Sequence, residues 1–276
     1  MRTSNSHRDL VQSVVRAFEI LGTFTLETPH LGVSEIAARV DLNRTTVHRL
    51  LATLEHCGVI IQDPVSRKYR LSARVLQYAN VFLHRSDIRS VALDPMTRLR
   101  DETGETCGLH VREHWTRVII AQVESTQALR MTYPNLGEAV PLHLGAPGRV
   151  ILAFLPEHQI ESYLAQKSLV RLTAHSLTDP RVLRHEIEVI RRQGYAVSRQ
   201  ERRQGVVSIA APIFDRQGQV VASVNVSGPL QRLDDEAVAT IAPLVVRAAQ
   251  DISWGLSHLD EPIAGAGGIT SGGRAG

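Results

Sequence analysis

Two runs of residues in this 276-residue chain are of types that could do chemistry, and they point in different directions. In Asn43-Arg44-Thr45-Thr46-Val47-His48-Arg49, short polar and basic side chains crowd one stretch. On an exposed helix, Arg44 and Arg49 can each offer a planar pair of donors to guanine or phosphate, and Thr45 and Thr46 can meet a thymine methyl or a phosphate. The second run, His110-Val-Arg-Glu113-His114, fits H-x-x-E-H, in which two histidines hold zinc and the glutamate acts as base. That chemistry needs both histidines on one helical turn. Residues 108–112 read as a strand, where side chains four apart lie about 13 Å from each other at about 3.3 Å per residue. One zinc at about 2.1 Å from each nitrogen cannot bridge them, so His110, Glu113 and His114 are not expected to form a metal site or a hydrolase centre. The sequence contains no G-x-S-x-G or P-loop, and Gly145-Ala-Pro-Gly148 lacks the spacing of a dinucleotide fingerprint. We expect no enzyme, no cofactor and no metal.

The elements that must position the first run follow from hydrophobic periodicity. Residues 11–24 read as a helix with Val14, Val15, Phe18, Leu21 and Gly22 on one face. A second short helix covers 35–40 with Ser34 as its cap, and a third runs from Arg44 to His56 behind the cap Asn43, ending at Gly58. Val47, Leu50, Leu51 and Leu54 should face inward, which leaves His48 and Arg49 outside. The runs 59–62 and 68–71, split by a turn-rich spacer, predict a hairpin with Arg67, Lys68 and Arg70 at or beside its tip. Three helices and a hairpin describe a winged helix-turn-helix. Its turn carries Asp41 where such motifs commonly place Gly; Asp tolerates a left-handed backbone.

Beyond this unit, residues 72–84 form a helix whose apolar side (Val75, Leu76, Ala79, Phe82, Leu83) finds no partner in so small a domain, so a second subunit or its own domain must cover it. Another helix spans 93–103. Strands are expected at 106–112, 117–123 and 129–133, helices at 147–155, 157–166 and 181–193, strands at 195–199, 206–214 and 219–227, and a closing helix at 234–256. The predicted class is α+β: a winged helix-turn-helix over 1–71, a linker and dimerisation helix over 72–89, an α+β domain over 90–259 and a disordered Gly-rich tail over 260–276.

Composition agrees. Apolar residues make up 43% of the chain, enough to exclude disorder throughout. Two cysteines, Cys57 and Cys107, are too few for a disulfide framework, and no apolar run has the roughly 18 residues of a membrane span. A cytoplasmic protein without membrane contact is expected. Cys57 should be a buried or half-buried helix-end residue, and Cys107 a quiet strand position. The net charge of +3 is unevenly spread: residues 1–89 hold 12 Lys and Arg against 8 Asp and Glu, whereas residues 90–258 hold 18 of each. Only the N-terminal part has an electrostatic reason to meet a polyanion.

The strings EIAARVDLNRTTVHRLLATLEHCGVI, TGETCGLHV, PLHLGAPGRVILAFLP and QGVVSIAAPIFDRQGQVVASVNVSGP, in that order, make the chain resemble the IclR-type bacterial transcriptional regulators from about Val11 to about Leu259. The resemblance implies a winged helix-turn-helix that binds double-stranded operator DNA, a linker helix that pairs subunits, and a GAF-like C-terminal domain that binds a small effector. Homodimers or dimers of dimers are implied, acting on a pseudo-palindromic operator. Asn43, Arg44, Thr45, Thr46, His48 and Arg49, with Arg67, Lys68 and Arg70 of the wing, are then the DNA-binding residues.

By the same resemblance, the effector pocket takes Met131, Val140, Gly145 and Ala146 on one wall and Ser198, Val206, Ser208, Asn225 and Ser227 on the other. These types suit a small organic or aromatic acid, with bare amides of Gly145 and Ala146 for a carboxylate and Met131, Val140 and Val206 for an apolar portion. The chain departs from the family pattern near Ser198, Ser208 and Asn225, where an acidic residue, a Cys and a Ser are common, so no relative's ligand transfers directly. A C-terminal domain that only oligomerises is the alternative.

Overall fold

The helical periodicity of the first segment closes around Ile20, Ile36, Val47, Leu51 and Ile60, each no more than 1% exposed. The computed structural model describes residues 10–84, 88–133, 136–166 and 169–258 and divides the chain into two units, Met1–Arg85 and Ser86–Gly276. The expected tail over 260–276, and Phe82 and Leu83 of the linker helix, lie outside the described residues or side chains.

The first unit consists of α1 (Gln12–Leu21), α2 (Val33–Val40), α3 (Arg44–His56), the hairpin β1 (Ile60–Gln62) and β2 (Tyr69–Leu71), and α4 (Val75–His84). The Asn43 side chain accepts the Thr46 amide at 2.8 Å and starts α3. Asp41 adopts the left-handed conformation, φ 51°, which turns the chain sharply between α2 and α3. The expected cap at Ser34 is not formed: α2 starts two residues earlier, with the Glu35 carboxylate accepting the Gly32 amide at 2.7 Å. The inward face of α1 also differs from its apolar stripe. Ala17, Ile20, Leu21 and Phe24 pack on the core, while Val14 and Phe18 are 52% and 69% exposed. Cys57, expected to be at least half-buried, is exposed.

In the second unit α5 (Ile88–Thr103) begins five residues before the expected start and leads into β3 (Thr106–Glu113) and β4 (Thr116–Val123). Then come β5 (Ala139–Pro141), α6 (Ala146–Ala153), α7 (Glu157–Leu164), α8 (Pro180–Gln193), β6 (Ala196–Arg199), β7 (Val206–Phe214), β8 (Val220–Pro229) and α9 (Asp235–Ser257). The strands form one antiparallel sheet in the order β5-β4-β3-β8-β7-β6. Period-two alternation gives this sheet two characters. One face presents apolar residues such as Leu109, Ile209, Val224 and Val226, and α5 and α9 pack against the sheet. The other carries Thr106, His110, Ser208, Ser223, Asn225 and Ser227, all buried.

Residues 129–133, expected as a strand, are not one, because side chains take the ladder's place. The Thr106 hydroxyl donates to the Met131 carbonyl at 2.5 Å and the Tyr133 amide donates to the Gln122 side chain at 2.9 Å. The edge strand is β5 instead.

Helix α6 is buried along its whole length and approaches Leu142 so closely that only Gly fits at 148. A Cβ there would stand 2.9 Å from the Leu142 carbonyl carbon, which is backbone and cannot swing away. Gly148→Ala should therefore destabilise the protein by about 1–3 kcal/mol. A lower urea midpoint at unchanged slope is the expected result; an unchanged midpoint would contradict this packing.

Candidate functional site

The exposed side of α3 carries Arg44, Thr45, His48 and Arg49, with Asn43 exposed at the cap and Thr46 half-buried. Leu51 and Leu54 hold the opposite side in the core, so these polar residues face outward together. A shallow groove between α1 and α3 is lined by Ser13, Arg16, Thr46, Arg49 and Thr53. Arg16 had no signal in the sequence beyond its charge; the packing of α1 places it beside Arg49. On the hairpin, Arg67 sits at the tip with φ 57° and Arg70 is exposed, whereas Lys68 is engaged by Glu35 at 3.2 Å. The Asp63 side chain shapes the tip by accepting the Ser66 amide at 2.6 Å.

The second site lies on the polar face of the sheet. Register puts Ser198 opposite Ser208, Ser208 opposite Ser227 and Ser227 opposite Thr106, a row of hydroxyls across β6, β7, β8 and β3. Cross-strand partners share a face, so the row is a consequence of pairing. Beside it runs a chain of buried hydrogen bonds. Arg117 Nη1 donates to His110 Nδ1 at 2.7 Å. An arginine can only donate, so the imidazole proton sits on Nε2 and is given to Asn225 Oδ1 at 2.8 Å. The Asn225 amide then has two N–H groups to offer, shared among three oxygens within reach of its nitrogen: Tyr133 Oη at 2.9 Å, Ser208 Oγ at 2.9 Å and Ser227 Oγ at 2.7 Å. Gly108 leaves the space for this: a Cβ there would lie 2.7 Å from Asn225 Oδ1 and 3.0 Å from His110 Nε2.

Arg117 is only 2% exposed, its Nε has no hydrogen-bond partner, and no carboxylate pairs with it among the described residues. Burial lowers its pKa to about 10, so it stays charged at neutral pH. Burial and the neighbouring Arg117 charge push the pKa of His110 well below the ordinary histidine value, which keeps the ring neutral as the hydrogen-bond directions require.

This cation borders a half-open cavity of about 40 Å³ lined by Arg117, Met131, Tyr133, Ser198, Val206 and Ser208, with Gly145, Pro147, Ser227, Arg202 and Arg203 completing it. A Cβ built on Gly145 would be 3.8 Å from both Arg117 Nη2 and Ser198 Oγ, so one small anion can reach both groups. The loop between β6 and β7 is rooted by Glu201, whose buried carboxylate meets Arg149 Nη1. Its next two residues, Arg202 and Arg203, turn to the cavity.

A family profile for the helix-turn-helix domain of IclR matches residues 13–64, and one for the C-terminal domain of the bacterial transcriptional regulator IclR matches residues 80–254. The chain belongs to the IclR family. It is 33% identical over 242 residues to the regulator KipR of Bacillus subtilis, covering 88% of this chain and 96% of that one. Among solved structures it resembles IclR of Thermotoga maritima (31% identity, 90% and 99% of the two chains, TM-score 0.72). It also resembles an IclR homologue of Microbacterium hydrocarbonoxydans in complex with 4-hydroxybenzoate (26%, 88% and 98%, 0.75). Like its relatives, this IclR-family protein is a transcriptional regulator and not an enzyme.

Of the nine residues that the resemblance assigned to the IclR pocket, Met131, Gly145, Ser198, Val206, Ser208 and Ser227 border the cavity. Ala146 is buried at the start of α6, Val140 is the cross-strand partner of Arg117, and Asn225 lies behind the hydroxyls and orients them. The sequence reading missed Arg117, Tyr133, Arg202 and Arg203, although the charged run Glu201-Arg-Arg before Gly205 was a signal. His110 belongs to the hydrogen-bonded chain, while His114 is 94% exposed at the β3–β4 turn, so the two do not converge on a zinc. Cys107 is fully buried, and burial pushes its thiol pKa up, which makes it inert.

A histidine held neutral has a pH signature. Below its ordinary pKa of about 6.5 the unfolded chain takes a proton that folded His110 refuses. Stability is therefore fully present above that value and falls beneath it, by up to about 1.4 kcal/mol per pH unit. His143, also lowered by burial, acts with the same sign. Urea melts across about pH 5 to 8 should show this decline, and His110→Gln, which keeps one donor and one acceptor, should make it shallower. An equal slope in the variant would mean that His110 is not held neutral.

Proposed function

We propose that this regulator binds a pseudo-palindromic operator as a homodimer or dimer of dimers, through α3 and the wing, and that a small organic acid in the C-terminal cavity controls that binding. The observation that carries the effector half is the buried Arg117 guanidinium, which forms no ion pair among the described residues and borders a half-open cavity. Leaving a cation so placed costs several kcal/mol unless an anion arrives. A domain built only to oligomerise has no use for it. Arg117 and Ser198 would take the carboxylate, the hydroxyl row its polar substituents, and Met131, Tyr133 and Val206 the carbon skeleton. The 4-hydroxybenzoate held by the Microbacterium relative is an acid of this class.

For DNA, Arg44, Thr45, Thr46, His48 and Arg49 would enter the major groove, with Asn43 positioning the helix and Arg67, Lys68 and Arg70 meeting the backbone beside it. Self-association would cover apolar side chains that a single chain leaves outside: Val11, Val14 and Phe18 of the α1 region and Leu76, Tyr78 and Val81 of α4 are all more than half exposed. Two half-sites one helical turn or more apart follow from such a pair. No described helix is long and apolar enough to cross a membrane, and we place the protein in the cytoplasm with its operator.

With an operator selected from random DNA, scrambling one half-site should abolish specific gel retardation. Arg44→Ala or Arg49→Ala should lower discrimination at one base by about 1–3 kcal/mol. Undiminished binding to a scrambled site would overturn the paired reading.

Small carboxylates (pyruvate, succinate, benzoate and 4-hydroxybenzoate) should raise the melting temperature of the parent protein, and Arg117→Gln should remove that shift. Operator DNA should change the affinity of an active acid by a factor equivalent to about 1–3 kcal/mol, as reciprocity demands. Equal affinity with and without DNA would sink the allosteric half.

A further inference from the structure

The six-stranded sheet ends in β5 on one side and β6 on the other. In a flat sheet such edges would stand about 24 Å apart at about 4.8 Å per strand. Yet Arg202, in the loop that follows β6, forms an ion pair at 2.5 Å with Glu138, the residue immediately before β5. The curl of the sheet and the two flanking segments bring opposite edges together over the cavity, and this ion pair is a tie between them. Arg202 faces two ways. It borders the cavity, where it is close enough to repel the Arg117 charge, and it donates outward to Glu138.

Glu138 in turn acts electrostatically on Arg117, favouring its charged form, although it is not among the cavity-lining residues. The Arg202 side chain is 14% exposed and that of Glu138 39%, so the pair lies at the rim between interior and solvent. The space beside it, about 40 Å³, is half open to solvent. It is narrow for a ring-sized acid unless its rim gives way.

We propose that the Glu138–Arg202 pair is an anion-responsive latch across the polar face of the sheet, with Glu138 an internal competitor of the ligand carboxylate for the positive charge of Arg117 and Arg202. An acid that reaches Arg117 places a second carboxylate beside Arg202 and repels Glu138. The tie between the two sheet edges loosens, and the segments around β5 and the β6–β7 loop part to admit the ligand. The competition discriminates by charge: an uncharged isostere gains nothing from displacing Glu138, whereas an anion does. The latch rests on the carboxylate reading of the cavity proposed above, and adds to it a residue that tunes affinity and a motion coupled to binding.

Glu138→Gln tests it, since the amide keeps the shape and removes the charge. Titrations by calorimetry would compare the parent and the variant with the tightest acid of pyruvate, succinate, benzoate and 4-hydroxybenzoate, and with 4-hydroxybenzamide as the uncharged probe. The variant should bind the acid tighter by about fivefold, the scale of a partly exposed ion pair, while the amide is unaffected. Hydrogen exchange provides the second readout. The acid should speed exchange of the Gly137 amide, which donates to the Ile119 carbonyl at 2.9 Å, in the parent. In the variant that amide should already exchange fast without ligand. An acid affinity unchanged or weakened in a folded variant, with the parent binding normally, overturns the latch and leaves the carboxylate reading intact. Binding of no acid by either protein overturns both.

Discussion

The C-terminal unit is organised around one buried positive charge. Arg117 enters the polar face of the sheet without a carboxylate to meet it among the described residues, and everything near it is arranged by what an arginine cannot do. It cannot accept, so His110 must, and the imidazole proton is driven to the far nitrogen. That proton settles the orientation of the Asn225 amide, which turns its two N–H groups toward the oxygens of Ser208, Ser227 and Tyr133. Reversing any one bond would leave a buried donor facing a donor, at a cost of about 1–3 kcal/mol. The hydroxyl oxygens bordering the cavity are thus held in place by the Asn225 amide before any ligand arrives, which is what a selective site needs.

A site of this kind weakens the protein that carries it. Apolar residues in place of Arg117 and its polar neighbours would pack with less desolvation penalty. The surrounding structure compensates through the opposite face of the sheet, where Leu109, Ile209, Val224 and Val226 are completely buried, and through α6 with its close approach to Leu142. The β6–β7 loop is anchored separately by the buried pair of Glu201 with Arg149, so the two arginines that follow can face the cavity while their own backbone stays tied down. The N-terminal unit solves a simpler problem. A small core holds the inner side of α3, Asn43 and Asp41 set where the helix begins, and its outer side is free for DNA.

Hydrophobic periodicity and turn residues made most elements legible. The third helix, its cap and its stop are where Asn43 and Gly58 put them, and the α+β sheet with its β7–β8 hairpin follows from alternation and the Asp215–Gly218 turn. Periodicity failed where two apolar stripes competed. In α1, Val14 and Phe18 look as buryable as Ala17 and Ile20, and only packing against α2 and α3 selects the latter pair. It failed again at residues 129–133, whose composition suits a strand but whose backbone groups are claimed by Thr106 and Gln122 side chains from distant positions.

The sequence by itself determined the family, the order of elements, the residues on the outer side of α3 and the parity that puts Thr106, Gly108 and His110 on one face of a strand. What it could not determine was the use of that face. Arg117 is ninety-one residues from Ser208 in the chain, and no local pattern says that the two will border one cavity. Strand pairing decides that, through registers such as Ser198 with Ser208 and Ser208 with Ser227, and the meeting of Glu138 with Arg202 across the two ends of the sheet decides what closes over it. Local propensity is written in neighbouring residues, whereas hydrogen-bond direction and charge compensation depend on partners that only the folded sheet brings within reach.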